Sequence, residues 1–140
     1  MKRILTWLAL SPLALFGAVA EGENLLINGV FDCEQVELPA FWSPSSAQQV
    51  ACHRAGGPGG RMASVVLHAD GSVPGTVSMR QQGLILVEGE TYKLSAWIKT
   101  KGFQSRHAGL VIHNSGWITD TGFKELPADS DWTFMERTFK

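Results

Sequence analysis

The chain has 140 residues, of which 44% are hydrophobic and 18% are charged. This composition is typical of one globular domain and excludes a disordered, collagen-like or heptad-repeat protein. The 12 basic and 13 acidic residues give a net charge of -1, and no segment has the dense basic run that binds nucleic acid phosphates. We therefore expect no nucleic acid partner.

The first 20 residues have the pattern of a secretory signal peptide. Lys2 and Arg3 are followed by an apolar run from Ile4 to about Phe16 and by the small residues Ala18-Val19-Ala20. An uncleaved membrane anchor is the alternative, but a span needs about 20 apolar residues, and a serine, a proline and a glycine interrupt this shorter run. We expect cleavage after Ala20, a mature domain over residues 21–140 without membrane contact, and a secreted, periplasmic or cell-surface location.

The two cysteines are expected to be bridged after export. Cys33 and Cys52 are 19 positions apart, and two thiols in a small exported domain more often form a disulfide than a metal site. Two free thiols are the alternative, because the sequence does not show that their Cβ atoms approach each other. A zinc site is poorly supported, because His53 beside Cys52 lacks the usual paired spacing of zinc ligands.

Short apolar segments separated by glycine, proline and asparagine follow residue 21, and no long segment has the apolar spacing of a helix. The pattern predicts an all-β domain, either a sandwich or a barrel. The candidate strands are Asn24–Asn28, Gln48–His53, Met62–His68, Thr76–Leu86, Thr91–Lys101, Ala108–His113, Gly116–Thr119 and Trp132–Phe139.

The fifth candidate strand alternates apolar and polar residues, so one of its faces is core and the other carries Trp97. If the neighbouring strands share its sheet, that outer face also presents Arg80, Gln82 and His113. Tryptophan stacks on the apolar face of a pyranose, and such polar groups bind its hydroxyls. The face therefore suits carbohydrate, with a tryptophan packed under a loop as the alternative. Trp117 supplies either a second stacking plate or a core residue at a strand edge.

Three segments carry a family resemblance. Asn24–Asp32 reads N-L-L-I-N-G-V-F-D and precedes Trp42; Gln82–Lys99 ends in G-E-T-Y-K-L-S-A-W-I-K; and Asp131-Trp132 precedes Phe139. In this order they resemble carbohydrate-binding module families 4 and 9. The resemblance implies a galactose-binding-like jelly-roll β-sandwich whose concave sheet binds polysaccharide or oligosaccharide.

The resemblance also implies roles for single residues. Gln82 matches a position that can face the binding groove, whereas Trp42 and Tyr92 match positions that fill the core. Asp32 matches one ligand of a structural calcium site, which needs several oxygen ligands. An ordinary turn carboxylate is the alternative for Asp32. The closing D-x-v-x-l motif of the families is not found before Lys140, so we expect a domain that lacks its last strands.

No catalytic centre is predicted. Glycoside hydrolysis needs two carboxylates that flank a cleft, and the acidic pairs in this chain fall in glycine- or proline-containing turns. No G-x-S-x-G nucleophile motif occurs. The sequence pattern and the resemblance together lead us to expect an exported, non-catalytic carbohydrate-binding module, with a catalytic domain in a longer parent chain as a further expected partner. The alternatives are an adhesive or structural cell-surface domain, which uses the same fold without sugar, and a fragment of a glycoside hydrolase.

Overall fold

The computed structural model describes residues 2–6, 24–33, 38–45, 47–68, 77–103, 109–114, 120–123 and 125–140, with the backbone alone for residues 2–6 and 120. These residues form strands and two short 3₁₀ helices, which confirms the all-β class. Among them, no helix is long and apolar enough to cross a membrane. The strands are β1 (Lys2–Thr6), β2 (Ser43–Pro44), β3 (Val50–His53), β4 (Ser64–Leu67), β5 (Met79–Arg80), β6 (Thr91–Thr100), β7 (Leu110–His113), β8 (Asp120–Phe123) and β9 (Ser130–Phe139), and the 3₁₀ helices are Ala47–Gln49 and Pro58–Gly60.

Strand β6 lies at the centre of a three-stranded sheet with the order β1-β6-β9. Strand β1 runs parallel to β6, and β9 runs antiparallel to it from the pair Tyr92–Phe139 to the pair Thr100–Ser130, with an irregularity between Ile98 and Thr100. The remaining described strands form three two-stranded ladders, which are β2-β5, β3-β4 and β7-β8.

Strand β6 is long because its residues alternate as a half-buried strand requires. Tyr92, Leu94 and Ala96 are buried and point to the core. The opposite face carries Lys93 and Trp97, which are partly exposed, and Ser95, which is buried. The strand predicted at residues 91–101 is therefore confirmed to within one residue.

The core gathers aromatic and aliphatic side chains from distant parts of the chain. Its buried members are Leu26, Phe31, Trp42, Tyr92, Leu94 and Phe123. The rings of Phe31 and Trp42 have centroids 5.1 Å apart, and the buried Tyr92 hydroxyl accepts a hydrogen bond of 2.6 Å from the backbone N–H of Val87. Tyr92 and Trp42 thus fill the core, as alternation along the strand predicts for Tyr92 and the family resemblance implies for both.

A disulfide joins Cys33 to Cys52 and connects the N-terminal segment to β3. Beside it, the Arg54 Nε–H donates a 2.9 Å hydrogen bond to the Cys33 carbonyl. Cys33 is buried. The disulfide therefore has a structural role. No free cysteine occurs among the residues that the structure describes.

The strand predicted at residues 24–28 is wrong, because residues 26–30 form turns. The Asn28 side chain replaces the strand ladder with local hydrogen bonds. Its Oδ1 accepts from the Asp32 backbone N–H at 2.7 Å, and its Nδ2 donates to the carbonyls of Asp32 and Ala40. Asn28 has φ +51°, a left-handed conformation that asparagine tolerates better than most residues.

Other predicted boundaries also differ from the structure. In the described part of the strand expected at residues 76–86, only Met79 and Arg80 pair, while residues 81–87 have no regular structure. The strand expected at residues 116–119 and residue Trp117 lie outside the described residues, and β8 begins at Asp120. The short strand Ser43–Pro44 was not predicted.

Candidate ligand-binding cleft beside strand β9

The residues expected on one sugar-binding face belong to different ladders. Trp97 is in β6, Arg80 pairs with Ser43 between β5 and β2, and His113 ends β7 in the ladder with β8. Gln82 follows β5 in an irregular segment. No described ladder joins these strands to β6, so the condition for a shared sheet face is not met among the described residues.

Trp97 has a different close partner. It lies directly opposite Phe134 across the β6-β9 ladder, and the two ring centroids are 5.3 Å apart with an interplanar angle of 54°. Trp97 is half-buried and packs against the core, whereas Phe134 is 48% exposed. Tilted aromatic pairs at this distance are favourable, so Trp97 holds a Phe134 ring that is open to solvent.

Two ion pairs between β6 and β9 flank this aromatic pair. Lys93 Nζ lies 2.9 Å from Glu136 Oε2, and Lys99 Nζ lies 2.8 Å from Asp131 Oδ1. The hydrogen bond from Lys99 and a second one from the backbone N–H of Trp132 hold the pKa of Asp131 below its usual value. The two ion pairs thus link β6 to β9 on both sides of Phe134.

Phe134 also lines a shallow, open cleft of about 740 Å³. The cleft runs along β8 and the middle of β9 and combines one exposed aromatic ring with carboxylate, guanidinium and hydroxyl groups. Its lining residues are Thr121, Gly122, Phe123, Glu125, Thr133, Phe134, Met135, Glu136 and Arg137.

Local backbone geometry shapes the cleft. Arg137 Nη1 donates a 2.9 Å hydrogen bond to the Gly122 carbonyl and so ties β9 to β8. Gly122 is required at this point, because a Cβ atom there would collide with the Leu110 carbonyl of β7. Glu125 has φ +60°, which is uncommon for a residue other than glycine, and this turn places Glu125 on the rim of the cleft.

The lining groups can recognise a polyol. Carboxylates accept hydrogen bonds from hydroxyl groups, the Arg137 guanidinium donates them, and threonine does both. The Glu136 carboxylate pairs with Lys93, and the Arg137 guanidinium donates to the Gly122 carbonyl. These contacts orient the other oxygen of Glu136 and the other N–H groups of Arg137. The cleft thus has one exposed ring and several polar groups along its lining, with Phe134 and Glu136 on one face of β9 and Thr133 and Arg137 on the other.

The calcium-ligand role that the resemblance implies for Asp32 stays a prediction. Its side chain is exposed, and no group of three or more His, Cys, Asp or Glu residues among the described residues could hold a metal ion. Calcium prefers six to eight oxygen ligands. Such ligands include backbone carbonyl oxygens as well as carboxylates.

Sequence reasoning predicted none of the nine residues that line the cleft, among them Phe134, Glu125, Glu136 and Arg137. A signal existed for Phe134, because alternation along β9 places it on the same face as Trp132 and Glu136. The register that sets Phe134 against Trp97 depends on pairing between segments more than 30 residues apart, which no local pattern reports.

Comparison of the chain with protein-family models, with curated proteins and with solved structures finds no match.

Proposed function

We propose that the protein is an exported, non-catalytic carbohydrate-binding module that holds a polysaccharide or oligosaccharide in the cleft beside β9. One observation carries this proposal. The half-exposed Phe134 ring, held by Trp97, opens onto a cleft that is also lined by carboxylate, guanidinium and hydroxyl groups. A galactose-binding-like jelly-roll sandwich is the proposed architecture, supported by the all-β elements and by the buried Trp42 and Tyr92.

Phe134 is the proposed stacking plate and Trp97 its support. The apolar C–H face of a pyranose packs on an exposed ring, while equatorial hydroxyls reach the polar groups beside it. Glu125 and Thr133 lie on the lining of the same cleft as Phe134 and are suited to bind these hydroxyls. In this proposal Arg80, Gln82 and His113 are not primary contacts, because they lie on other ladders or segments.

The expected affinity is weak. Each hydrogen bond to a sugar hydroxyl replaces one to water, so the net gain per bond is about 1 kcal/mol. One stacked ring and a few such bonds give dissociation constants on the order of micromolar to millimolar. Binding without bond cleavage is therefore best detected on polymers, where repeated contacts raise the apparent affinity.

The proposal is tested by affinity electrophoresis in gels containing xylan, β-glucan or mannan. The wild-type chain is compared with Phe134→Ala and with Phe41→Ala, a matched control that removes another exposed phenylalanine outside the cleft. We expect one polymer to retard the wild type and the control equally, and Phe134→Ala to lose most of the retardation. Retardation unchanged in a folded Phe134→Ala variant contradicts the proposed site.

An adhesive function is the second candidate, favoured by apolar side chains exposed away from the cleft. Ile27, Val30 and Phe41 are 55%, 49% and 67% exposed, and the hydrogen bonds of Asn28 hold their two turns together. Attachment to a protein-coated surface that Phe41→Ala reduces and Phe134→Ala does not, without retardation by any polymer, favours adhesion.

Catalysis is not proposed. Glu125 and Glu136 both line the cleft, but Glu136 is the ion-pair partner of Lys93, which indicates a structural role. We expect no release of reducing sugar from a polymer that the protein binds. Release that Glu125→Gln abolishes and Phe41→Ala preserves would instead assign the protein to the glycoside hydrolases.

A further inference from the structure

We propose that Asn28 is a modification site, at which the side-chain amide is hydrolysed through ring closure onto the following glycine whenever the turn around it opens. Asparagine is among the thermally labile residues. Gly29 follows it directly and has no Cβ atom to hinder the approach of its backbone nitrogen. Neither residue lines the cleft beside β9, so the inference is independent of the proposed sugar site.

The reaction needs only water and hydroxide. Hydroxide removes the proton from the Gly29 backbone nitrogen, which then forms a bond to Asn28 Cγ. The Cγ–Nδ2 bond breaks, and Nδ2 takes up a proton from water and leaves as ammonia. Water then opens the cyclic imide at one of its two carbonyl carbons. The product at position 28 is therefore aspartate or isoaspartate, and the step is irreversible once ammonia has left.

The folded turn holds the Asn28 side chain on all of its hydrogen-bonding groups. Oδ1 accepts from the Asp32 backbone N–H at 2.7 Å. Nδ2 donates to the Asp32 carbonyl at 3.1 Å and to the Ala40 carbonyl at 3.3 Å, which uses both of its N–H donors. Ring closure requires Cγ to turn toward the next peptide nitrogen, so all three hydrogen bonds must break first.

The backbone of the turn holds the attacking nitrogen as well. The Asn28 carbonyl accepts from the Phe31 N–H at 3.1 Å and from the indole N–H of Trp42 at 3.0 Å. Because a peptide unit is planar, these bonds also fix the Gly29 nitrogen of the same unit. Gly29 is buried, which keeps hydroxide from its N–H. The folded protein thus protects a bond that the open chain exposes.

The product does not fit the turn that protected the asparagine. A carboxylate has no N–H donor, so one of its oxygens would face the Asp32 and Ala40 carbonyls that Nδ2 contacts. Isoaspartate also lengthens the main chain by one carbon and displaces the carbonyl that holds the buried Trp42. A chain that is modified while open therefore refolds to a less stable domain.

The first test follows the reaction in the full chain by mass spectrometry of its peptides. The wild type is kept in mildly alkaline buffer, folded in one sample and unfolded by urea and a reducing agent in the other. In the unfolded sample we expect faster conversion at Asn28 than at Asn24 and Asn114, which precede larger residues. Conversion of Asn28 should be about tenfold or more slower in the folded sample.

Gly29→Ala is the matched variant for the unfolded sample, where folding plays no part. It should lose most of the conversion at Asn28, because a Cβ atom beside the attacking nitrogen hinders ring closure. Conversion of Asn28 that is as fast in the folded sample as in the unfolded one overturns the proposal. Conversion in the unfolded sample that is no faster than at the other two asparagines overturns it too.

The second test measures whether the product can form the turn. Asn28→Asp is compared in urea with Gln48→Glu, which makes the same amide-to-carboxylate change at an exposed residue. We expect Asn28→Asp to lower the urea midpoint by about 0.5 M or more or to leave the chain unfolded, and Gln48→Glu to keep the wild-type midpoint. A wild-type midpoint for Asn28→Asp, or an equal loss in both variants, contradicts the proposed consequence.

Discussion

Removal of the Cys33–Cys52 disulfide is expected to cost a large part of the stability of this domain. The bridge spans 19 residues, for which the chain-entropy relation gives about 3 kcal/mol at 25 °C. Domains of this size have unfolding free energies of only about 5–15 kcal/mol. The bridge acts at the core boundary, because Cys33 is buried and adjoins the segment that contributes Phe31.

The measurement is urea unfolding of the wild type and of Cys33→Ala/Cys52→Ala, followed by tryptophan fluorescence. With a slope of about 2 kcal/mol per M, a loss of about 3 kcal/mol lowers the midpoint by about 1.5 M. A reducing agent should lower the wild-type midpoint by the same amount and leave the variant unchanged. A shift equivalent to less than about 1 kcal/mol would refute the view that this bridge constrains the unfolded chain.

Three further changes test the core and the ion pair. Leu94→Ala empties a site that is 0% exposed and should lower the unfolding free energy by about 2–5 kcal/mol; a smaller loss in urea contradicts a packed centre of β6. Tyr92→Phe removes the hydroxyl that accepts a hydrogen bond from the Val87 N–H and should lower the unfolding free energy by about 1 kcal/mol. An unchanged urea midpoint would show that water takes the place of the hydroxyl. The third change tests the ion pair. Lys99 lowers the folded-state pKa of Asp131, so the ionised Asp131 carboxylate stabilises the folded protein. This stabilisation is fully present above the unfolded-state pKa and is lost as the pH falls through the folded-state pKa. Asp131→Asn should therefore unfold more easily than the wild type near pH 7, with the difference shrinking in acid below about pH 4 and in high salt; a difference that grows in acid contradicts the sign.

Local alternation was sufficient to predict the first half of β6, where Tyr92 and Leu94 are buried. The burial of β9 does not alternate, and its strand was predicted from its residue types. The buried position of Trp42 was implied by the family resemblance. The prediction of a strand at residues 24–28 failed because the Asn28 side chain forms hydrogen bonds within its own turn. Its hydrogen bonds compete with a ladder in a way that apolar spacing does not reveal.

The site was harder to predict than the strands because it depends on long-range pairing. The sequence shows that Trp97 lies on a polar face, but not that β5 and β7 pair with β2 and β8 instead of joining β6. It likewise does not show the register that brings Phe134 to Trp97. The proposed cleft combines aromatic and polar groups, as expected of a sugar site, but it is lined by other residues than those predicted.

The most direct measurement for the central claim is an NMR titration of the isotope-labelled protein with an oligosaccharide from the polymer that retards it. We predict saturable shifts of backbone amide signals in residues 121–123 and 133–137, with little change at Arg80, Gln82 and His113. Shifts that instead concentrate at Arg80, Gln82 and His113 while residues 133–137 stay unchanged would contradict a sugar site built around Phe134.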